Sequence, residues 1–221
     1  MDDPEVSYGE LETALRELGT INRWLGGHRT TRIGVARLTH HLPVDTVITV
    51  LDLGAGGTNL SAILRPLHRR FAVTALDINP RIGEFAKQYG HASEVVVGSA
   101  HALSYPDRSF DIVHASLFLH HCTDAEAKWL LQEAIRIARV GVVINELQRH
   151  FFALAGIALL TTLLGRSAIV RHDAPLSVRR GFTRRELAAL SPRAPINVTL
   201  SWRWAFRWCL CLSPLQQGAD G

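Results

Sequence analysis

The run from Val50 to Leu60, Val-Leu-Asp-Leu-Gly-Ala-Gly-Gly-Thr-Asn-Leu, constrains the fold of this chain more than any other stretch. Val47, Ile48, Val50, Leu51 and Leu53 make an apolar segment suited to a strand covered on both faces, as in a parallel sheet. Gly54, Gly56 and Gly57 follow at once, where backbone can bend sharply and approach a ligand with no Cβ in the way. A strand feeding such a turn is how α/β folds open a nucleotide-cofactor loop. The dinucleotide pattern G-x-G-x-x-G is incomplete, because Asn59 stands at its third glycine. Asp52 precedes the loop instead, which disfavours a pyrophosphate and suits a cofactor with a cationic end.

Phe71 to Leu76 reads as the next strand and ends at Asp77, near the roughly 20-residue offset at which nucleotide folds place a ribose-binding carboxylate. The competing reading is that Asp77 caps a helix beginning near Pro80. Val95-Val96-Val97-Gly98-Ser99-Ala100 reads as strand and turn, and Ser109-Phe110-Asp111 opens a further strand, with Asp111 closing a turn or capping.

With these residues in view, the stretch from about Asp45 to Glu146 resembles the class I S-adenosylmethionine-dependent methyltransferases. Their first motif, (D/E)-x-G-x-G-x-G, is matched by Asp52, Gly54 and Gly56, with Thr58 in place of the last glycine and Gly57 beside it. Their later G-D-A and L-P-F-x-D-x-S-F-D patterns are similar to Gly98-Ser99-Ala100 and Leu103 to Asp111, with Ser99 where the family often has an adenine-contacting Asp. The resemblance implies S-adenosyl-L-methionine as cofactor. It implies Asp52, Gly54, Ala55 and Gly56 near the methionine end, Asp77 on the ribose, and Ile78, Ser99, Ala100 and His101 around the adenine. The family often carries Leu-His-His after its fourth strand, as Leu119-His120-His121 does here.

Alternating strands and helices from Val47 to Val140 imply a parallel sheet with right-handed crossovers. The expected fold is α/β and Rossmann-like: a doubly wound, mostly parallel seven-stranded sheet with an antiparallel edge strand and helical cap segments. Helical periodicity in Glu10–Leu18 and Thr30–Leu42, broken by Asn22 to His28, marks residues 1–44 as an N-terminal helical cap. Residues 45–221 form the methyltransferase domain, with a helical cap inserted at about 147–180. That insertion comprises an apolar helix from Phe151 to Leu164 and a polar segment from Arg171 to Ser177. A helix then starts at Thr183 with Glu186 as its capping-box partner, and two strands, Ile196–Trp202 and Ala205–Leu212, end the chain's ordered pattern.

Methyl transfer from a sulfonium requires in-line placement of nucleophile, carbon and sulfur, and a base only where the acceptor must lose a proton. His120 and His121, just beyond a strand read as Ile112 to Leu119, are the candidate bases; the bland alternative is that they cap the helix at Asp124 or line the cofactor wall. Trp24, His28, Asn145 and His172 are candidate acceptor contacts, since they fall in the cap segments or at a strand end. The apolar cap favours a small aromatic or lipid-like acceptor, with O-methylation ahead of C-methylation. No metal is expected, since no His-Glu ligand spacing occurs.

The net charge of +4 comes from scattered arginines rather than a basic arm, so no nucleic-acid partner is expected. Three cysteines without metal-ligand spacing, and an acidic, polar start, suit a reduced cytoplasmic protein. The apolar stretch from Phe151 falls short of the roughly 20 residues that span hydrocarbon. Its flanks, Arg149-His150 and Arg166, suit a helix lying at a lipid surface, a peripheral membrane contact. Two rivals stand beside the enzyme: a nicotinamide-dependent oxidoreductase and a non-catalytic S-adenosylmethionine-binding protein.

Overall fold

The computed structural model describes residues 7–165, 167–192 and 195–215. Its strands are β1 Val47–Leu53, β2 Arg70–Asp77, β3 Glu94–Val97, β4 Phe110–Ser116, β5 Ala138–Leu147, β6 Ile196–Arg203 and β7 Arg207–Pro214. They form one seven-stranded sheet in the order β3-β2-β1-β4-β5-β7-β6. The first five are parallel, as apolar runs covered on both faces require. β7 runs against both β5 and β6, so the reversed strand is inserted one place in from the edge, and β6 closes that edge parallel to the rest.

Among the described residues eight α-helices surround the sheet: α1 Tyr8–Trp24, α2 Gly27–Thr39, α3 Leu60–Leu64, α4 Pro80–Gln88, α5 Asp124–Ile137, α6 Phe151–Leu164, α7 Ala168–Arg180 and α8 Arg184–Leu190. Capping boxes start three of them, Ser7 with Glu10, Thr123 with Glu126, and Thr183 with Glu186 as the sequence predicts. α2 and α3 cover one face, where Val35, Leu38, Leu60 and Leu64 meet Ile48, Val50, Val73 and Val143. α5 and α8 cover the other, with Leu130, Leu131, Leu187 and Leu190 against Leu51, Val113, Ile144 and Leu210. α1, α6 and α7 join in a separate cluster around Ala14, Ile157, Val170 and Val178.

Three features depart from the sequence reading. The break expected over Asn22 to His28 contracts to Leu25 and Gly26; Gly26, at φ +77°, reverses the chain, and α2 begins directly after it. As a result α2 lies on the sheet face, where a Cβ on Gly34 would come within 2.5 Å of Val143, rather than over the carboxyl edge; only α1 reaches that edge. The segment Arg171 to Ser177, read only as a polar stretch within the helical cap, is the middle of a regular helix, and Pro175 sits inside α7. β4 stops at Ser116 instead of running to Leu119, because Leu117 takes φ +57° and its amide turns to the Asn145 carbonyl at 2.9 Å. Leu119–His121 is then a single 3-10 turn. Arg166, cited as a flank of the apolar helix, lies outside the described residues.

Candidate active site

β1 ends in a loop whose geometry needs its glycines: Gly54 and Gly56 have φ of +61° and +55°, a region costly for side chains bearing a Cβ. A Cβ on Gly54 would lie 2.2 Å from the Phe118 ring. One on Gly56 would meet nothing closer than 3.9 Å and so would project into open space. Gly57 serves another purpose, since a Cβ there would come within 2.8 Å of Leu15 on α1. Thr58 keeps an ordinary φ and its amide closes a turn on the Ala55 carbonyl at 3.0 Å, so no glycine is needed there. Asn59 caps α3, its side chain accepting from the Ala62 amide at 2.8 Å.

The open space is a cavity of about 390 Å³ at the carboxyl edge of β1, β2 and β4. That is within the usual range for small-molecule sites. Among its walls are Gly54, Ala55, Gly56, Asp77, Ile78, Ser99, Ala100, His101 and His121, so the structure brings together eight of the nine predicted cofactor residues and one predicted base. Asp77 does not cap a helix: Asn79 caps α4, accepting from the Arg81 amide. Asp77 accepts from the Gly56 amide at 2.9 Å and from the Asn79 amide at 3.0 Å, so it also fixes the loop. Ile78 is exposed beside it. The Ser99 hydroxyl accepts from the His101 amide at 3.1 Å.

Asp52 is the exception. It is buried below the loop, where Oδ1 lies 2.7 Å from His114 Nδ1, and it is absent from the cavity wall. His114 Nε2 lies 3.0 Å from the Thr31 hydroxyl, which also accepts from the Asn145 amide nitrogen at 3.2 Å. Asn145 donates in addition to the Gly27 carbonyl, and its own oxygen accepts from Arg207 at 3.3 Å. Asp52 and Asn145, expected at cofactor and acceptor, therefore lie in a buried network that pins α2 to the sheet. His114 and Arg207 went unnoticed in the sequence because nothing local marks a polar residue inside a strand as paired.

His120 and His121 separate in the same way. The His121 ring lines the cavity; His120 is buried behind it, with ring centroids 4.2 Å apart. His120 Nδ1 lies 3.0 Å from Glu146 Oε2, and its Nε2 is buried with no hydrogen-bond partner among the described residues. Glu146 is fully buried, which would raise its carboxyl, yet the neighbouring His120 and the Leu147 and Leu119 amides hold it below the usual carboxylate range. Neither His120 nor His121 caps the helix at Asp124, which Thr123 does.

Three acceptor candidates also fall outside the cavity. Trp24 is exposed at the end of α1. His28 is half-buried on α2, and its pKa is pushed down to about 4 by burial and by the charges of Arg23, Arg32 and Arg207. His172 is exposed on α7, its Nδ1 3.0 Å from Asp173, whose side chain does reach the cavity wall. Residues not singled out in the sequence add to the wall, among them Leu15, Leu18 and Gly19 of α1, Ile82, Leu117 and Phe118. Among the described residues no group of three or more His, Cys, Asp or Glu could hold a metal ion.

Comparison with known proteins agrees with this geometry. Residues 51–144 match a family model described as a methyltransferase domain. A malonyl-[acyl-carrier protein] O-methyltransferase of Yersinia pestis is 31% identical over 118 residues, 53% of this chain and 40% of that protein. A 27-O-demethylrifamycin SV methyltransferase of Amycolatopsis mediterranei is 34% identical over 119 residues, 51% of this chain and 42% of that protein. The chain thus spans about two fifths of the length of these curated relatives. Among solved structures, the plantazolicin methyltransferase BpumL in complex with SAH superposes with a TM-score of 0.66, at 11% identity over 93% of this chain and 95% of that one. Human N-acetylserotonin methyltransferase in complex with SAM gives 0.64, at 16% identity over 94% and 56%.

Proposed function

We propose that the chain is a class I S-adenosylmethionine-dependent methyltransferase and that it moves a methyl group from that cofactor to an oxygen of a small aromatic or lipid-like acceptor. The observation that carries the reading is the cavity at the carboxyl edge, walled by the two left-handed glycines, Asp77 and the turn from Ser99 to His101. When bound, S-adenosylmethionine supplies a methyl group on a cationic sulfonium. Gly54 and Gly56 let backbone approach it, Asp77 accepts from its ribose, and Ile78, Ser99, Ala100 and His101 flank its adenine. Open space above Gly56 fits such a ligand, since a side chain there would fill the cavity.

His121 is the base in this reading, taking the acceptor's proton at an imidazole nitrogen; His120, its ring packed behind at 4.2 Å and bonded to Glu146, positions it. Leu15, Leu18 and Gly19 of α1 shield the cavity from water on one side. The oxygen acceptor is favoured because relatives act at oxygen according to their names. Three thiols without disulfide partners suit a reducing compartment such as the cytoplasm. The nicotinamide reading is disfavoured by Asn59, which closes the α3 N-terminus where a pyrophosphate would rest.

Titration calorimetry with S-adenosylmethionine, followed by assay of S-adenosylhomocysteine release across phenols, hydroxyquinones and acyl carboxylates, tests the proposal. Cofactor binding with release on an oxygen acceptor supports it. Binding without turnover on any acceptor would favour a non-catalytic binding protein, and affinity for a nicotinamide dinucleotide alone would overturn the assignment.

A further inference from the structure

The outer face of α6 is apolar from end to end: Phe151, Phe152, Ala155, Gly156, Leu159, Thr162 and Leu163 all face solvent, Phe151 at 74% exposure and Leu163 at 71%. Its inner face is spent on Ile157 and Thr161, buried against α7 and α1. Exposed apolar surface of this extent marks an interaction site.

The patch continues beyond the helix. His150, which caps α6, stacks on Phe206 at 5.0 Å, and Phe206 meets Trp202 edge-on at 6.5 Å. Trp202 donates its indole proton to Gln148 at 2.8 Å. Trp204 is 66% exposed at the tip of the β6–β7 hairpin, and its carbonyl packs against Gly26, two residues from the equally exposed Trp24. The hairpin is tied to that turn by the Ala205 amide bonding to the Leu25 carbonyl at 3.2 Å. Two indoles, a third half-covered one and the two phenylalanines thus rim one surface at the carboxyl edge.

The charge around it has one sign. The described residues within 18–44, 147–172 and 187–215, from which this surface is built, include no Asp or Glu, while Arg23, Arg29, Arg32 and Arg203 lie among them. Arg23 and Arg29 are exposed. The flanking carboxylates are engaged: Glu186 with Arg149, Glu17 with the Ser167 amide, and Asp173 with His172. Apolar anchors, indoles at the rim and an arginine collar without acids match the headgroup layer of an anionic bilayer. No helix among the described residues is long and apolar enough to cross a membrane, and α6, with 14 residues, is sized to lie in its surface.

We propose that the α6 face and the β6–β7 hairpin tip dock the protein on an anionic lipid surface. The cavity opens on the same sheet edge, so docking would present it toward molecules dissolved in the bilayer. The docking itself does not depend on the methyltransfer reading.

Vesicle co-sedimentation of the full chain, without cofactor or acceptor, tests this. Binding to phosphatidylcholine vesicles containing phosphatidylglycerol, weakened by salt and weak on phosphatidylcholine alone, is expected. Phe151→Ser with Phe152→Ser, and separately Trp204→Ser, should each lower partitioning by about tenfold or more, with melting curves showing that both variants fold. No binding to anionic vesicles, or binding indifferent to these substitutions, would overturn the proposal. So would a dimer in solution that Phe151→Ser dissociates, which would give the face to a second copy.

Discussion

Asp77 carries two duties that pull together. It tethers the Gly56 amide and, in the proposed reading, receives the ribose, so Asp77→Ala would remove charge-assisted bonds worth about 1.5–3 kcal/mol each. Calorimetry should show S-adenosylmethionine affinity falling on the order of a hundredfold; unchanged affinity in the folded variant would place the ribose elsewhere. His121→Ala should behave oppositely, lowering kcat by roughly a hundredfold or more while cofactor affinity changes little. Loss of cofactor binding in step with activity would assign His121 to the cofactor wall. That Gly54, Gly56, Asp77 and His121 line one cavity was legible in part from the spacing of the glycines and Asp77, and for His121 from the family resemblance. Asp52 and Asn145 misled for a physical reason: on a strand, neighbouring positions face opposite sides, and sequence does not say that His114, Thr31 and Arg207 wait in the core to pair with them. Trp24 and His172 were placed by segment rather than by direction.

At the scale of elements, α1 forms one wall of the site, and its docking depends on a glycine that the motif does not demand. Gly57→Ala would put a Cβ about 2.8 Å from Leu15, so α1 must shift, taking Leu18 and Gly19 from the cavity wall. A destabilisation of roughly 1–3 kcal/mol is expected in urea unfolding, with a faster cofactor off-rate by stopped flow. An off-rate equal to wild type would show that α1 does not cover the ligand. The strands and most helices were readable from apolar runs, capping residues and punctuation by glycine. α7 was legible only as a polar stretch of the helical cap, since Pro175 and its polar neighbours obscure the helical period, whereas its buried stripe of Val170, Ala174 and Val178 packs with α1 and α6. The overlong β4 had the converse cause: Ile112 to Leu119 is almost continuously apolar, and periodicity alone cannot show that Leu117 turns left-handed.

At the scale of the whole molecule, the N-terminal helix pair is joined to the sheet by buried polar groups, and these set the response to acid. Arg207 is fully buried, its pKa lowered to about 10 by burial and partly restored by Glu146, and it donates to the Leu25 carbonyl and to Asn145. His28 sits beside it, held neutral by burial first and then by three arginines. An unfolded histidine takes up a proton near pH 6.5, whereas folded His28 does so only near 4. The unfolded chain therefore binds more protons in this window, and stability falls as pH drops from 6.5 toward 4. His91, also lowered by burial, adds to the slope with the same sign, and Glu146 contributes only at lower pH, as its carboxyl begins to protonate. Urea midpoints measured between pH 7 and 5 should decline in the wild type, flatten in His28→Gln and flatten further when His91→Gln is added. A double variant as acid-sensitive over that interval as the wild type would show that some other group, and not this buried cationic junction, couples the helix pair to the proton.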